Sequence, residues 1–343
     1  MGSAAAARER SGRKSRSAGS ARGGSAAVNG AELEQHRREL EVHCYRLLGS
    51  WHEAEDLVQE TFLKAWRGRD AFDGRSSVRT WLYKIATNAC LDARKSGQRR
   101  ILPVDLGPPA DPSLSLPPRT DVAWLEPVPD RLLDESPEAA FVAKETIELA
   151  FVATLQHLPA RQRAVLIVRD VLGWPASQTA ELLGISVAAA NSALQRARAT
   201  MRERRDDRTR PGPDEQEVAR RFAEAYQRAD VDGMARLLAD HARATMPPLP
   251  MWYRGKSAIV QALRQSLPFL GELRTGLTRA NRQPAVYSLV RAPGDTEFRP
   301  FALSLLTVEA GLIVETTAFH DPDVFDFFAR TDDFGGTESS TSA

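Results

Sequence analysis

The chain has 343 residues, more than one typical domain, and its 46 Lys and Arg against 45 Asp and Glu leave a formal charge of +1. With 42% hydrophobic and 27% charged residues it has the balance of a globular protein, and no run of 18 apolar residues is present to form a transmembrane helix, so no membrane partner is expected. Cys44 and Cys90, without a Cys-x-x-Cys or a His–Cys cluster, give no support to a zinc site, and redox sensing is the lesser alternative to plain buried thiols. They read as buried free thiols in a reducing cytoplasm, and no cofactor motif is present.

Residues 1–30 are rich in Ala, Gly and Ser with scattered Arg, lack the apolar centre of a signal peptide, and predict a disordered basic tail. In residues 53–67 the spacing of Ala54, Leu57, Val58, Thr61, Phe62 and Ala65 predicts an amphipathic helix. Glu53, Glu55, Asp56 and Glu60 crowd its first turns, where carboxylates favour the positive end of the helix dipole. An acidic face cannot bind DNA. It is either plain solvated surface or a surface for a protein partner.

Residues 75–100 reverse the sign, with Arg75, Arg79, Lys84, Arg94, Lys95, Arg99 and Arg100 against Asp92 alone. Val78, Leu82, Ile85 and Ala89 predict the buried stripe of a helix, flanked by Trp81, Tyr83 and Asn88. Cations interleaved with aromatics suit single-stranded nucleic acid, whose backbone they follow while rings stack on bases. Trp81 alone could equally be a core residue. Residues 101–137 hold nine prolines, from Pro103 to Pro137, and more acids than bases, which predicts an extended acidic tether.

Residues 174–205 read as a helix-turn-helix. Pro175 opens the first helix and Gly184 closes it in a left-handed cap; Ser186 caps the second. Val187, Ala190, Leu194, Ala197 and Met201 form its inner face. The opposite face carries Ala188, Ala189, Asn191, Ser192, Gln195 and Arg196, small or hydrogen-bonding groups that can approach base edges. Arg196, Arg198, Arg202, Arg204 and Arg205 against Glu203 suit phosphates. A helical hairpin with a solvated basic face is the plainer alternative.

After a polar hinge at 207–213, Val218, Phe222, Ala225 and Ala229 predict an amphipathic helix and Met234–Leu238 a short second one. Pro284–Arg291, Phe301–Glu309 and Leu312–Phe319 predict strands, the last two joined by a tight turn at Ala310-Gly311. Helices followed by an antiparallel sheet indicate an α+β domain. Asp240, His241, Glu315, His320 and Asp321 are candidates for acid–base chemistry in its pocket, with Trp252 and Tyr253 as lining. Asp240-His241 reads as a loop and His320-Asp321-Pro322 as a strand end and turn, and no paired-acid or triad spacing is present, which favours regulation over catalysis.

The segments Asp56-Leu57-Val58-Gln59-Glu60-Thr61-Phe62, Phe72-Asp73-Gly74-Arg75 and Arg79-Thr80-Trp81-Leu82-Tyr83-Lys84-Ile85-Ala86 resemble region 2 of the extracytoplasmic-function (ECF) group of sigma-70-type sigma factors. Leu158-Pro159-Ala160-Arg161-Gln162-Arg163 with the helix-turn-helix resembles their region 4. The segment Trp252 to Ile259 and Phe319-His320-Asp321-Pro322 resemble the SnoaL-like, NTF2-like cone. The resemblance implies two all-α units, region 2 at 31–100 and region 4 at 138–206, joined by the linker and followed by an α+β cone at 214–330, with a disordered tail at 331–343.

It also implies partners, namely core RNA polymerase through its β′ and β subunits and promoter DNA. Asp56, Gln59, Glu60 and Phe62 would contact polymerase. Arg75, Ser76, Arg79, Trp81, Lys84, Asn88, Arg94 and Lys95 would recognise and open the −10 element. Ser186, Ala189, Asn191, Ser192, Gln195, Arg196 and Arg198 would read the −35 element as duplex. Many family members carry basic residues where this chain has Asn191 and Ala193, so base contact here leans on Ser192, Gln195 and Arg196. His241, Trp252, Tyr253 and His320 would line a cone pocket for a small-molecule ligand, and the cone would act in cis as a regulator. Rival readings are an enzyme in the cone with an appended DNA-binding regulator, and a conventional activator using only the helix-turn-helix. The second leaves the acidic helix and the aromatic–basic segment unexplained.

Overall fold

The computed structural model describes residues 29–72, 74–134, 146–204 and 214–330. The expected tails, the 207–213 hinge and the end of the linker lie outside the described residues, except that Gly30–Glu34 forms a helical turn, α1, capped by the Asn29 side chain. Among the described residues no helix is long and apolar enough to cross a membrane.

The first helical unit is α2 (Arg37–Leu48), α3 (Trp51–Gly68) and α4 (Val78–Ser96). Helix α2 ends at Gly49, whose φ of 79° is the left-handed cap that glycine adopts without strain. Although α2 is rich in charge, every residue from Glu39 to Leu48 is buried, because other parts of the chain surround it on all sides. Arg46 is 2% exposed and donates to Thr146 O and Thr146 Oγ1 at 2.9 and 3.0 Å; burial pushes its pKa down to about 10. Cys44 and Cys90 are buried free thiols facing each other across α2 and α4; the hydrogen bond between them, then burial, holds Cys44 protonated.

The linker is not the free tether expected. It holds a short helix, α5 (Asp130–Asp134), and its extended stretches pair with their neighbours. Ile101 bridges Trp124, and the N–H groups of Leu125 and Glu126 donate to Ile101 O and Gly49 O, each at 3.0 Å. Glu126 accepts from Ser50 Oγ (2.8 Å) and the Trp51 N–H (3.2 Å) at the start of α3, and pairs with Arg100 at 2.7 Å. Farther along, the Ala110 N–H donates to Trp252 O (2.8 Å), the Arg119 N–H to Pro248 O (2.9 Å), and Pro129 bridges Ala280. The physical reason is that proline keeps the chain extended but leaves every carbonyl free to accept, so the segment lies along surfaces whose groups need partners. Its acids pair locally, Asp105 with His157 at 3.0 Å and Asp130 with Arg279 at 3.0 Å, rather than forming a free acidic strand.

The second helical unit contains α6 (Leu149–Gln156), α7 (Ala160–Leu166) running into a π-helical turn at Ile167–Val171, and the pair α8 (Ala176–Leu183) and α9 (Val187–Arg204). The cone has α10 (Glu215–Gln227), α11 (Val231–Leu237) and α12 (Lys256–Ser266) against a six-stranded sheet in the order β2-β1-β6-β5-β4-β3. Its strands are β1 (Leu238–Thr245), β2 (Trp252–Arg254), β3 (Glu272–Ala280), β4 (Gln283–Arg291), β5 (Arg299–Glu309) and β6 (Leu312–Phe319). The β1–β6 pair is parallel and the rest are antiparallel.

The expected strands and the Ala310-Gly311 turn are present, with positive φ at both turn residues. One expectation is corrected: Asp240-His241 lies inside β1 rather than in a loop. The expected strand end and turn are present, with β6 ending at Phe319 and Asp321 Oδ1 accepting the Asp323 N–H at 3.0 Å as the chain enters helix α13 (Pro322–Arg330). The sheet is covered on both faces. One packs on α10–α12 through Leu273, Val286, Leu306 and Ile313. The other, with Ala285, Leu303, Leu305 and Phe319, joins α13 and both helical units in one continuous apolar core.

Candidate nucleic-acid interface

Ser50 caps α3, accepting the Glu53 N–H at 3.1 Å. Asp56, Gln59 and Glu60 are exposed, as expected, and on the same face stand Leu63 and Trp66, 57% and 47% exposed. The sequence pattern missed both because they fall outside the acidic first turns. Large exposed apolar groups beside carboxylates, with the Arg69 guanidinium 4.3 Å over the Trp66 ring, suit a protein partner. Phe62 is corrected: it packs inward beneath the Arg37 guanidinium, 4.9 Å from the ring centroid, at the stripe position its spacing with Val58 and Ala65 requires. Glu53 is tied to Arg100 at 2.8 Å.

Helix α4 is capped by Ser77, which accepts the Thr80 N–H at 3.1 Å. Arg75, Ser76, Lys84, Asn88 and Lys95 are exposed, Lys95 beside Asp92 at 2.7 Å. Trp81 is half-buried against Phe72, the ring centroids 4.9 Å apart, and with Ile85, Asn88 and Asp92 it lines a cleft of about 420 Å³ between α3 and α4. Asp73 of the preceding loop lies outside the described residues. Tyr83, expected to flank the stripe, is instead at its centre. It is 1% exposed, its hydroxyl donates to Glu39 at 3.1 Å, and burial first, with the Glu39 charge, raises its pKa far above the usual phenol value. Beneath α4, His43 is fully buried with Nε2 2.9 Å from Thr87 Oγ1; burial pushes its pKa down to about 3, so the ring is neutral.

Besides Lys95, the expected strand-binding cations Arg79 and Arg94 are engaged. Arg79 pairs with Glu39 at 2.7 Å. Arg94 donates to Leu48 O (2.9 Å) and Gln156 Oε1 (2.5 Å), bridging the end of α2 to the second helical unit. Arg163 completes that joint: 4% exposed, it donates to Leu47 O and to Gln156 Oε1, Gln156 O and Leu158 O, the last three at 2.6, 3.0 and 3.1 Å. Among the described residues it meets no carboxylate, and burial, with the charges of Arg94 and Arg99, pushes its pKa down to about 9. Trp174 packs its ring 5.4 Å from Tyr83. The two basic units are thus held against each other.

The helix-turn-helix follows its sequence. Gly184 has φ 63°, and Ser186 Oγ accepts the Ala189 N–H at 3.1 Å. Ser186, Ala188, Ala189, Asn191, Ser192, Gln195, Arg196 and Arg198 are all exposed, with Arg198 bidentate on Asp170 at 2.8 and 2.7 Å. Two positions are corrected, Val187 of the expected inner stripe and Ala193, expected to face the groove where many relatives carry a cation. Val187 is 43% exposed and Ala193 is buried, because the helix turns its Ala190–Ala193–Leu194–Ala197 edge to α7 and α8. The small residue at Ala193 therefore bears on packing rather than on the charge facing a groove.

In the cone the expected pocket residues do not converge. His241 is exposed on β1, and Asp240 borders a shallow depression with Lys256 and Arg264. Trp252 is buried under the linker, its Nε1 donating to Gly107 O at 2.9 Å, and Tyr253 is buried beside it. His320 donates from Nδ1 to Phe301 O at 3.0 Å, and burial pushes its pKa down to about 4. Glu315 pairs with Arg243 at 3.5 Å. The space between helices and sheet is filled by Phe222, Met234, Leu237, Ile259 and Leu306. Among the described residues no group of three or more His, Cys, Asp or Glu is placed to share a metal ion.

Three family models match the chain: Sigma-70 region 2 over residues 33–100, Sigma-70, region 4 over 148–201, and the SnoaL-like domain over 219–316. The chain is 44% identical over 311 residues to the ECF RNA polymerase sigma factor SigG of Mycobacterium tuberculosis, covering 88% of this chain and 84% of that protein. It is 28% identical over 312 residues to SigJ of the same species, covering 86% and 92%. The crystal structure of the extracytoplasmic function sigma factor SigJ of M. tuberculosis shares the fold, with a TM-score of 0.61 at 23% identity over 87% of this chain and 98% of that one.

Proposed function

Because the chain belongs to the ECF family of RNA polymerase sigma factors and so directs core polymerase to promoters, we propose a division of that task among its surfaces. The exposed face of α3, with Asp56, Gln59 and Glu60 around Leu63 and Trp66, docks on core polymerase, the β′ subunit above all. Arg75, Ser76, Arg79, Lys84, Asn88, Arg94 and Lys95, with Trp81 in its cleft, take the melted −10 strand, for which Arg79 must leave Glu39, Arg94 must leave Leu48 and Gln156, and Lys95 must leave Asp92. The outer face of α9, from Ser186 through Arg198, reads the −35 duplex from the major groove.

The cone regulates in cis and performs no bond chemistry. Its filled interior and scattered ionisable groups favour that role over an enzyme or a ligand-binding cup. The observation that carries the reading is the joint at Arg94, Gln156, Arg163 and Trp174, which holds the two DNA-binding units together. The −10 and −35 elements lie about 25 base pairs apart, roughly 85 Å of B-form DNA at ~3.4 Å per base pair, farther than two abutting helical units reach. The chain in this form is therefore closed, and initiation requires it to open.

Run-off transcription with purified core polymerase tests the assignment. The full chain is expected to confer specific start sites. The double variant Asp56→Lys/Glu60→Lys should lose core binding while −35 duplex binding stays intact. Unchanged core affinity rejects the α3 assignment.

A further inference from the structure

The β3–β4 hairpin of the cone turns on two residues, Asn281 and Arg282, with φ of 53° and 62°. A two-residue turn with both φ values positive favours Asn at the first position and Gly at the second. Here the second is Arg, and a side chain in that conformation is a local cost that surrounding structure must offset. What offsets it lies outside the cone. Asn281 is completely buried. Its backbone N–H donates to Val128 O and its Oδ1 accepts the Val128 N–H, both at 2.9 Å, so it pairs with the linker as a strand would. Its Nδ2 donates to Tyr45 Oη of the first helical unit at 2.8 Å and to Ile147 O, just ahead of α6 in the second, at 2.9 Å.

Neighbouring residues extend the contact. Gln283 Oε1 accepts the Leu149 N–H at 3.0 Å, and Asp130 Oδ1 accepts the Arg282 N–H at 2.6 Å. One side-chain amide therefore satisfies groups on region 2, the linker and region 4 at once, from the tip of a domain outside all three.

We propose that the Asn281–Arg282 turn is the pin through which the cone holds regions 2 and 4 closed, and that its withdrawal is the step that releases them. This deepens the cis-regulatory reading and rests on it. The turn acts through the parts it joins, so it is a positioning device rather than a contact to DNA or polymerase. Because the strand pairing and the amide contacts share one residue, moving the hairpin would break all of them together, as a switch requires.

The test uses three full-length variants. Asn281→Gly keeps the left-handed backbone and removes the amide. Tyr45→Phe keeps the ring in the core and removes the hydroxyl. Phe327→Ala loosens the cone elsewhere, where Phe327 lies 5.0 Å from the His52 ring. Circular dichroism establishes folding, hydrogen exchange follows the Val128 and Leu149 amides, and run-off transcription is measured at limiting chain. For Asn281→Gly the expected result is faster exchange at Val128 with a transcription increase on the order of tenfold, and for Tyr45→Phe a smaller change in the same direction. If Phe327→Ala raises transcription and folded Asn281→Gly does not, cis control stands and the pin is overturned. If none of the three raises it, the cis-regulatory reading falls as well.

Discussion

On α9 the residues that would meet a major groove, Asn191, Ser192, Gln195 and Arg196, all stand in solvent, whereas on α4 the arginines that would follow a melted strand are partly committed, Arg79 to Glu39 and Arg94 to Leu48 and Gln156. Both helices are basic in sequence. The difference lies in what packs on them: α9 turns only its alanine-rich edge inward, while α4 is overlaid by the second helical unit through Trp174. Charge alone does not tell how available a DNA-binding surface is. On the proposed reading, the −35 face stands ready in this form while strand capture awaits rearrangement.

Removing the joint should disturb this contrast most. Arg163→Ala leaves buried carbonyls and Gln156 without their donor, and is expected to cost about 2–3 kcal/mol, read as a lower urea midpoint, with α4 more accessible to single-stranded −10 DNA. An unchanged midpoint would mean that the joint is incidental. Next in size, Arg196→Ala should weaken −35 duplex binding by roughly tenfold or more and reduce the salt slope by about 0.9. Fluorescence anisotropy across a salt series measures both. Arg94→Ala should leave the −35 slope as it is.

A smaller effect belongs to the packed side. His43, pushed down to about 3 by burial and by Arg46 and Arg79, and His320, pushed down to about 4 by burial, stay neutral when folded but take up protons when unfolded below their ordinary value of 6.5. Stability contributed by each is therefore lost as pH falls through that window. Glu41, raised to about 7 mainly by burial, works the other way, its contribution full below 4.5 and lost as pH rises through 7. Two histidines against one glutamate give a net loss on acidification from pH 6.5 to 4.5, on the order of 1 kcal/mol per pH unit. Urea midpoints at pH 6.5 and 5 check it, and a midpoint that rises on acidification would contradict the buried neutral imidazoles. Smallest of all, Asp170→Ala frees Arg198 from an exposed pair worth at most ~1 kcal/mol, so −35 affinity should rise by a few fold or less in the same anisotropy assay.

The parts legible in the sequence are those whose signals are local. Ser186 and Gly184 mark helix ends, and the spacing of Val58 and Phe62 or of Leu194 and Ala197 marks inner faces. Helix α2 gave no such signal, because Glu39, Glu41, His43 and Arg46 are buried by partners distant in sequence. The linker misled for the same reason. Its prolines speak to chain stiffness, but Glu126 and Val128 meet groups on α3 and on the cone that no local pattern announces. In the cone, β1 was obscured by the adjacent exposed Asp240 and His241, whereas β4 and β5 read clearly from their β-branched and aromatic runs.

A distance between the two DNA-binding units bears most directly on the closed form. Cysteines introduced at the exposed positions Arg67 and Glu181 can be labelled selectively, since Cys44 and Cys90 are buried. Energy transfer between the labels is then followed before and after addition of core polymerase and promoter. High transfer in the free chain that falls sharply in the complex is the predicted result. Transfer that is equally high, or equally low, in both states would contradict a chain that must open to initiate.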